Sequence, residues 1–210
     1  MALERYTIRQ IDKKLANDTQ IANHYLHTKA SCREAFGLYC DERMVGVILY
    51  GNPTAPTTQL ICSVKCNIME ITRLWIEDTT PKNAESYFIG GTLKRVSGEI
   101  IVAFADPEYG HTGVVYQASN FLFLGKSDRK GKVIAIKGSK IHNKTLWKQY
   151  GTADKIREAY GDRVYYKEYQ TKLRYVFLNV KKYRKKELLE ALRYTPMPYP
   201  KKVKQLEYKG

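Results

Sequence analysis

A continuous apolar run, EIIVAFA at Glu99–Ala105, constrains the fold most, because it predicts a strand that is buried on both of its faces. The neighbouring segments alternate in type around it. The predicted elements are a strand at Ile68–Glu77, a helix from Thr80-Pro81 to about Val96, the buried strand itself, a short helix at Gly113–Ser119 and a strand at Asn120–Gly125. This alternation predicts β-α-β units, and so an α/β fold whose largely parallel core carries helices on its faces.

Shorter signals predict the remaining elements. They are a strand at Arg5–Ile11, a helix at Asp12–Lys29 capped by Asp12 or Asp18, a hairpin of 35–40 and 44–50, strands at 133–137, 164–168 and 174–179, and helices at 145–160 and 185–193. We expect residues 1–125 to form the core and residues 126–210 to form a basic part that completes one structural domain. A turn cluster at 126–131 is the candidate seam between them.

The excess of positive over negative charge lies entirely in the last 85 residues of the chain. Residues 1–125 hold 12 Lys and Arg against 13 Asp and Glu, whereas residues 126–210 hold 24 against eight. A solvated surface is one interpretation. However, Tyr is interleaved with these cations, and cations neutralise phosphates while aromatic rings stack on bases, so the pattern favours nucleic-acid binding. The candidate contacts are Lys140, Lys144, Lys148, Arg174, Lys181, Lys182 and Arg184.

Several protein classes are disfavoured. No segment approaches the roughly 20 apolar residues of a membrane span, and no apolar block follows the first ten residues, so we expect a cytoplasmic protein without membrane contact. The sequence also lacks a G-x-x-x-x-G-K-[ST] loop and a G-x-S-x-G elbow, which argues against a nucleoside triphosphatase and an α/β-hydrolase.

Two predicted strands end in residues that suit chemistry. Arg73 lies within an otherwise apolar strand, where it either pairs with Glu70 or Glu77 or binds an anion together with groups at the start of the next helix. Asp106 directly follows the buried strand, and either caps the next turn or acts in catalysis.

A possible metal site is suggested by His24 and His27, which are spaced three apart on the predicted first helix. Such a pair can bind a metal ion with a carboxylate from elsewhere, or simply lie on the surface.

Two long motifs resemble the phage Mom-type DNA-modification family. They are ITRLWIEDTTPKNAESYFIGGTLK and IIVAFADPEYGHTGVVYQASNFLFLG, within residues 34–125. The resemblance implies a mixed α/β sheet similar to that of GNAT acyltransferases. It also implies conversion of adenine in phage double-stranded DNA to an N6-carbamoylmethyl adenine, which protects that DNA from host restriction.

Site residues follow from the same resemblance. An acetyl-CoA-like acyl donor would be bound by Arg73 and Ser86, with Asn83 beside them, while Asp106 and Tyr116 would lie near the chemistry. Tyr50 is a further candidate catalytic residue, and His24 or His27 would serve an iron ion if the family uses one. The loop 78–83 lacks the glycines with which GNAT enzymes hold a pyrophosphate.

Our functional hypothesis is therefore an adenine-modifying transferase. In it, the basic part holds DNA, the adenine is flipped out of the helix, and Asp106 or Tyr116 manages a proton. The alternatives are a non-enzymatic phage DNA-binding protein and a GNAT acetyltransferase that acts on a protein or a small molecule.

Overall fold

A mixed seven-stranded sheet forms the larger part of the protein. The computed structural model describes residues 3–24, 27–127, 131–139, 141, 143–168 and 171–200. The strands are β1 (Tyr6–Gln10), β2 (Glu34–Cys40), β3 (Arg43–Gly51), β4 (Ile68–Ile76), β5 (Ile100–Ala105), β6 (Leu122–Lys126), β7 (Lys132–Ile136), β8 (Val164–Glu168) and β9 (Leu173–Leu178). The helices are α1 (Lys13–Asn23), α2 (Pro56–Gln59), α3 (Ala84–Leu93), α4 (Val114–Ala118), α5 (Asn143–Tyr150), α6 (Ala153–Tyr160) and α7 (Lys182–Glu190).

The strand order of this sheet is β1-β2-β3-β4-β5-β9-β6. The predicted α/β class with a mixed sheet flanked by helices is confirmed. The expectation of a largely parallel core is wrong, because within the described strands only β4 and β5 pair in parallel. Strands β1 to β3 form an antiparallel meander, and β9 returns between β5 and β6 in the antiparallel direction.

The parallel pairing of β4 with β5 is short. It joins Ile68–Glu70 to Ile100–Val102 and stops there, although both strands continue. On its other side, β4 has a bulge against β3, since Leu49 faces Arg73 while Tyr50 faces Ile71. A bulge bends its strand and re-aims side chains. Strands β4 and β5 therefore stop pairing next to the bulge in β4.

Side chains alternate between two apolar layers across the sheet. Phe88 and Ile89 of α3 pack with strand residues such as Ile71 on one side, which we call the α3 face. Ala16 of α1 packs with Val47 and Leu49 on the other side, the α1 face, where α7 also packs through Leu188. Full burial of each large apolar side chain contributes roughly 1.5–3 kcal/mol, so both layers stabilise the sheet.

Local capping hydrogen bonds determine where the helices begin. Asp12 caps α1, accepting hydrogen bonds from the backbone N–H groups of Lys14 and Leu15. The predicted start of α3 at Thr80 is wrong, because the Thr80 hydroxyl donates to the Glu77 carbonyl and α3 begins only at Ala84. None of the helices within the described residues combines the length and hydrophobicity that a bilayer crossing requires.

The chain divides into two compact units. The first comprises residues 1–126 and 172–210. The second is an insertion, Ser127–Thr171, between β6 and β9. It begins within the turn cluster predicted as a seam, but the chain then returns to the main sheet as β9. The predicted basic part, residues 126–210, is therefore split between the two units.

The insertion has an apolar core of its own. Its antiparallel strands β7 and β8 pack against α5 and α6 through Ile134, Ile136, Leu146 and Ile156. The helix predicted over residues 145–160 is two helices, because Gly151 adopts a left-handed conformation at φ 76° and Thr152 then caps α6.

Gly113 is expected to tolerate substitution less well than Gly110, although both have left-handed φ angles, +79° and +75°. A Cβ atom at Gly113 would lie 2.3 Å from the Tyr175 ring, whereas at Gly110 no described atom lies within 4 Å. Gly110→Ala should lower the free energy of unfolding by about 1–2 kcal/mol. Gly113→Ala should lower it by at least about 1 kcal/mol more, because the ring must move. Urea unfolding measures both, and equal losses would contradict the predicted ring contact.

Candidate active site

Asp106 lies directly after β5 and is 9% exposed. Its Oδ1 accepts a hydrogen bond from the Glu108 backbone N–H at 3.1 Å, so the residue does cap the following turn. Its other oxygen, Oδ2, lies 3.3 Å from Lys172 Nζ. One carboxylate oxygen of Asp106 therefore caps the turn, and the other forms an ion pair with Lys172 just after the end of β5.

Glu70 is a second carboxylate whose charge interacts with Lys172, and sequence reasoning assigned it no catalytic role. It forms the last paired position of β4 with β5 and is 8% exposed. It accepts hydrogen bonds from the backbone N–H and hydroxyl of Thr54, at 2.9 and 3.1 Å. Burial raises the pKa of Glu70, while these bonds and the positive charges of Lys172 and Arg73 oppose that rise.

Arg73 extends from β4 on the α1 face. Its guanidinium group donates hydrogen bonds to the Thr72 carbonyl at 2.6 Å and to the Thr28 hydroxyl at 3.2 Å. Glu77, one of its two predicted partners, instead pairs with Arg43 at 2.7 Å. Glu70, the other, lies close enough to Arg73 for their charges to interact.

His24 and His27 do not share a helix face as predicted, since α1 ends at Asn23 and His24 is already extended. Burial, with the positive charges of Arg73, His111 and His27, lowers the pKa of His24 to about 4. The His27 Nδ1 atom lies 2.7 Å from the Ile21 carbonyl. Across the described parts of the chain, no group of three or more His, Cys, Asp or Glu side chains is arranged to hold a metal ion, so the iron hypothesis is not supported.

These groups form what we call the strand-end cluster. Its members are linked by the contacts and charge interactions described above. They are Glu70, Arg73, Asp106, Lys172, His24 and His111. Buried carboxylates beside fixed cations and a neutral imidazole can exchange protons with a bound substrate and can bind polar groups.

The residues predicted to hold an acyl donor lie on two consecutive elements, β4 and α3. Ser86 and Asn83 lie at the start of α3, where the Ser86 hydroxyl donates to the Asn83 carbonyl at 3.1 Å. Helix α3 packs on the α3 face, whereas Arg73 extends on the α1 face. The joint binding of an acyl donor by Arg73 and Ser86, with Asn83 beside them, stays a prediction.

The two predicted catalytic tyrosines lie in the core on the α3 face. Tyr50 is fully buried, its hydroxyl is 2.6 Å from Thr92 Oγ1, and burial raises its pKa above the usual range. Because Tyr50 has no surface for a substrate, its predicted catalytic role is replaced by a packing role. Tyr116 is 9% exposed, and its ring packs against Phe121 and Tyr175 at centroid distances of 5.5 and 5.6 Å.

The predicted DNA contacts have different surroundings. Arg174 is buried, stacks on Tyr194 at 3.8 Å and donates to the Leu124 carbonyl, so its predicted phosphate contact is corrected to a packing role. Arg184 pairs with Glu99 and Glu187. The remaining candidates are lysines. Lys181 and Lys182 are exposed at the start of α7, Lys144 and Lys148 are exposed on α5, and Lys140 lies outside the described residues.

Comparison with solved structures finds acetyltransferases of similar fold. Ribosomal-protein-S5-alanine acetyltransferase from Vibrio fischeri is 13% identical, with a TM-score of 0.46 over 84% of this chain and 94% of the other. The putative acetyltransferase yncA from Salmonella typhimurium, solved with its cofactor acetyl-CoA, is 10% identical, with a TM-score of 0.47 over 85% and 96%.

Sequence comparison gives a more specific result. The methylcarbamoylase Mom of Escherichia phage Mu is 34% identical over 116 residues, which are 51% of this chain and 45% of that protein. The alignment thus spans less than half of the relative's length. The model of the Mom protein family matches residues 5–201, almost the whole chain. This protein therefore belongs to the Mom protein family.

Proposed function

We propose that the protein modifies adenine in phage double-stranded DNA by adding a carbamoylmethyl group to its N6 amine, and so protects that DNA from restriction. Membership of the Mom family supports the proposal, as does the relative that is named a methylcarbamoylase. The observation that carries it is the strand-end cluster, where two buried carboxylates, Glu70 and Asp106, meet the charge of Lys172.

The chemistry requires the N6 nitrogen to form a bond to a carbon of the donor while the bond between that carbon and the donor's leaving group breaks, and the amine loses a proton. Asp106 is the proposed proton acceptor, because it lies at a strand end and Lys172 stabilises its negative charge at 3.3 Å. Glu70 is the second carboxylate whose charge interacts with Lys172, and its raised pKa makes it a stronger proton acceptor than an ordinary glutamate. Tyr116 stays a predicted catalytic residue. Tyr116→Phe distinguishes this role from packing, because the variant keeps the ring and removes the hydroxyl group.

The adenine must leave the base stack to reach this cluster. Its N6 amine is engaged in pairing within a duplex, so the base is flipped into the site at a cost of a few kcal/mol. Arg73 and the neutral His24 then offer polar groups beside the carboxylates. Arg73 and Ser86 stay the predicted binding residues of the acyl donor.

Asp106→Asn is expected to reduce adenine modification by at least about 100-fold, because the amide cannot accept the proton. The assay is mass spectrometry of nucleosides from plasmid DNA that is co-expressed with the protein. Glu108→Gln is the matched control, since Glu108 is an exposed carboxylate in the same loop, and it should retain modification. Full modification by Asp106→Asn would remove Asp106 from the mechanism.

The same assay separates the alternative functions. A non-enzymatic DNA-binding protein would bind the plasmid yet leave every nucleoside unmodified. An acetyltransferase for proteins or small molecules would leave adenine unmodified while it consumed an acyl donor. Either result with the wild-type protein would contradict the proposed function.

Glu70→Gln is expected to stabilise the protein while it lowers modification. Burial raises the pKa of Glu70 above its ordinary 4.5, so the ionised carboxylate lowers the stability of the folded state as the pH rises through that raised value. The amide keeps the shape without the charge. Urea unfolding should therefore show a larger free energy of unfolding for Glu70→Gln at pH 7.5, with the two proteins converging below about pH 4.5. A less stable variant at pH 7.5 would show that the charge of Glu70 is fully compensated.

A further inference from the structure

The proposed function requires a surface that holds duplex DNA, and among the described helices α5 and α7 each carry an exposed aromatic ring among lysines. One is the start of α7, where Tyr183 is 80% exposed among Lys181, Lys182 and Lys186. The other is the outer face of α5 in the insertion, where Trp147 is 42% exposed between Lys144 and Lys148. Their positions in the topology distinguish them.

Helix α7 lies at the far end of the sheet from Asp106. Strand β9 runs antiparallel to β5, so Leu178, just before α7, faces Ile100 at the start of β5. Asp106 follows the other end of β5, six residues or about 20 Å away.

The residues of the main unit that flank the insertion, Lys126 and Lys172, lie at the Asp106 end of the sheet. The chain leaves the sheet at Lys126 and returns at Lys172, and Lys126 pairs with Leu173, which in turn faces Ala105. The return residue, Lys172, is itself the ion-pair partner of Asp106. The insertion also carries 11 Lys and Arg against five Asp and Glu.

Helix α5 is amphipathic in a way that suits a nucleic acid. Leu146 is fully buried in the core of the insertion. Lys144, Trp147 and Lys148 are spaced i, i+3 and i+4, so they share the outer face of the helix. An indole that stacks on a base, flanked by ammonium groups that reach phosphates, is the combination found in proteins that bind unpaired bases.

We propose that the insertion is the DNA-holding element of this protein, with Trp147 stacking on a base while Lys144 and Lys148 contact the phosphates around it. This proposal rests on the proposed function for the identity of its ligand, duplex DNA. Flipping an adenine leaves a gap in the stack, and an exposed indole is an aromatic surface that can compensate for the lost stacking.

The first test compares Trp147→Ala with Tyr183→Ala, a matched pair of exposed aromatic residues that each lie among lysines of a helix. Binding of a fluorescently labelled DNA duplex is measured by anisotropy with the full chain. Trp147→Ala should weaken binding by about 10-fold, and Tyr183→Ala by less than about twofold. The reverse order, or equal affinities, would overturn the proposal. Matched urea unfolding of the two variants establishes that both are folded.

The second test distinguishes local contacts with phosphates from a general effect of the protein's net charge on DNA binding. Lys144→Glu with Lys148→Glu should weaken binding and reduce the slope of log affinity against log salt by about two. The control is Lys181→Glu with Lys182→Glu, which changes the net charge equally and should leave the slope nearly unchanged. A larger effect from the α7 pair would overturn the assignment to the insertion.

The third test observes stacking directly. The chain has two tryptophans, and Trp75 is partly buried. Trp75→Phe therefore leaves Trp147 as the one tryptophan whose fluorescence is measured. Duplex DNA should quench its fluorescence, and an unchanged spectrum on saturation would overturn the stacking contact.

Tighter binding of single-stranded RNA than of the duplex would overturn the choice of ligand. Binding as expected without modified adenine in plasmid DNA would instead refute the proposed function and leave the DNA-holding role standing.

Discussion

The end of pairing between β4 and β5 is the constraint on which the candidate site depends. After Glu70 and Val102 the central strands no longer share backbone hydrogen bonds, although β4 continues to Ile76 and β5 to Ala105. The carboxylates lie at this opening, where an ionised group left without partners would lose several kcal/mol of solvation. Thr54 and Lys172 offset that loss for Glu70 and Asp106, so the site is polar, nearly buried and held by fixed partners.

The two units differ in composition, and our proposals assign them different roles. The main unit surrounds the opening with two apolar layers that fix β4 and β5. The insertion has a small core of its own and an excess of cations, and the main-unit residue that follows it in the chain, Lys172, is the ion-pair partner of Asp106. Under our proposals the first unit performs the proton transfer and the second holds the polyanion.

Sequence patterns predicted those parts of the fold and site that depend on local chemistry. The apolar run before Asp106 correctly predicted a buried strand that ends at a carboxylate, because burial and strand end are both encoded within a few residues. Asp12 was identified among two candidate caps of α1 for the same reason. Glu70 had a usable signal as well. It is a charged residue within an apolar strand, but it was considered only as a partner for Arg73.

Features that depend on distant parts of the chain were missed. The return of the chain at Lys172 is set by the pairing of β9 with both β5 and β6, which no local pattern encodes. The faces on which Arg73 and Ser86 lie depend on a bulge and on helix packing, so their shared motif did not predict their separation. Tyr50 likewise became a candidate through the family resemblance, and its burial depends on packing across the sheet.

The most direct test of the account is a crystal structure of the protein bound to a DNA duplex. The account predicts an adenine rotated out of the helix, with its N6 atom within about 3.2 Å of a carboxylate oxygen of Asp106 or Glu70. It also predicts phosphates against the insertion. An adenine that remains stacked, or a flipped base whose N6 lies away from both carboxylates, would contradict the assignment of the strand-end cluster as the active site.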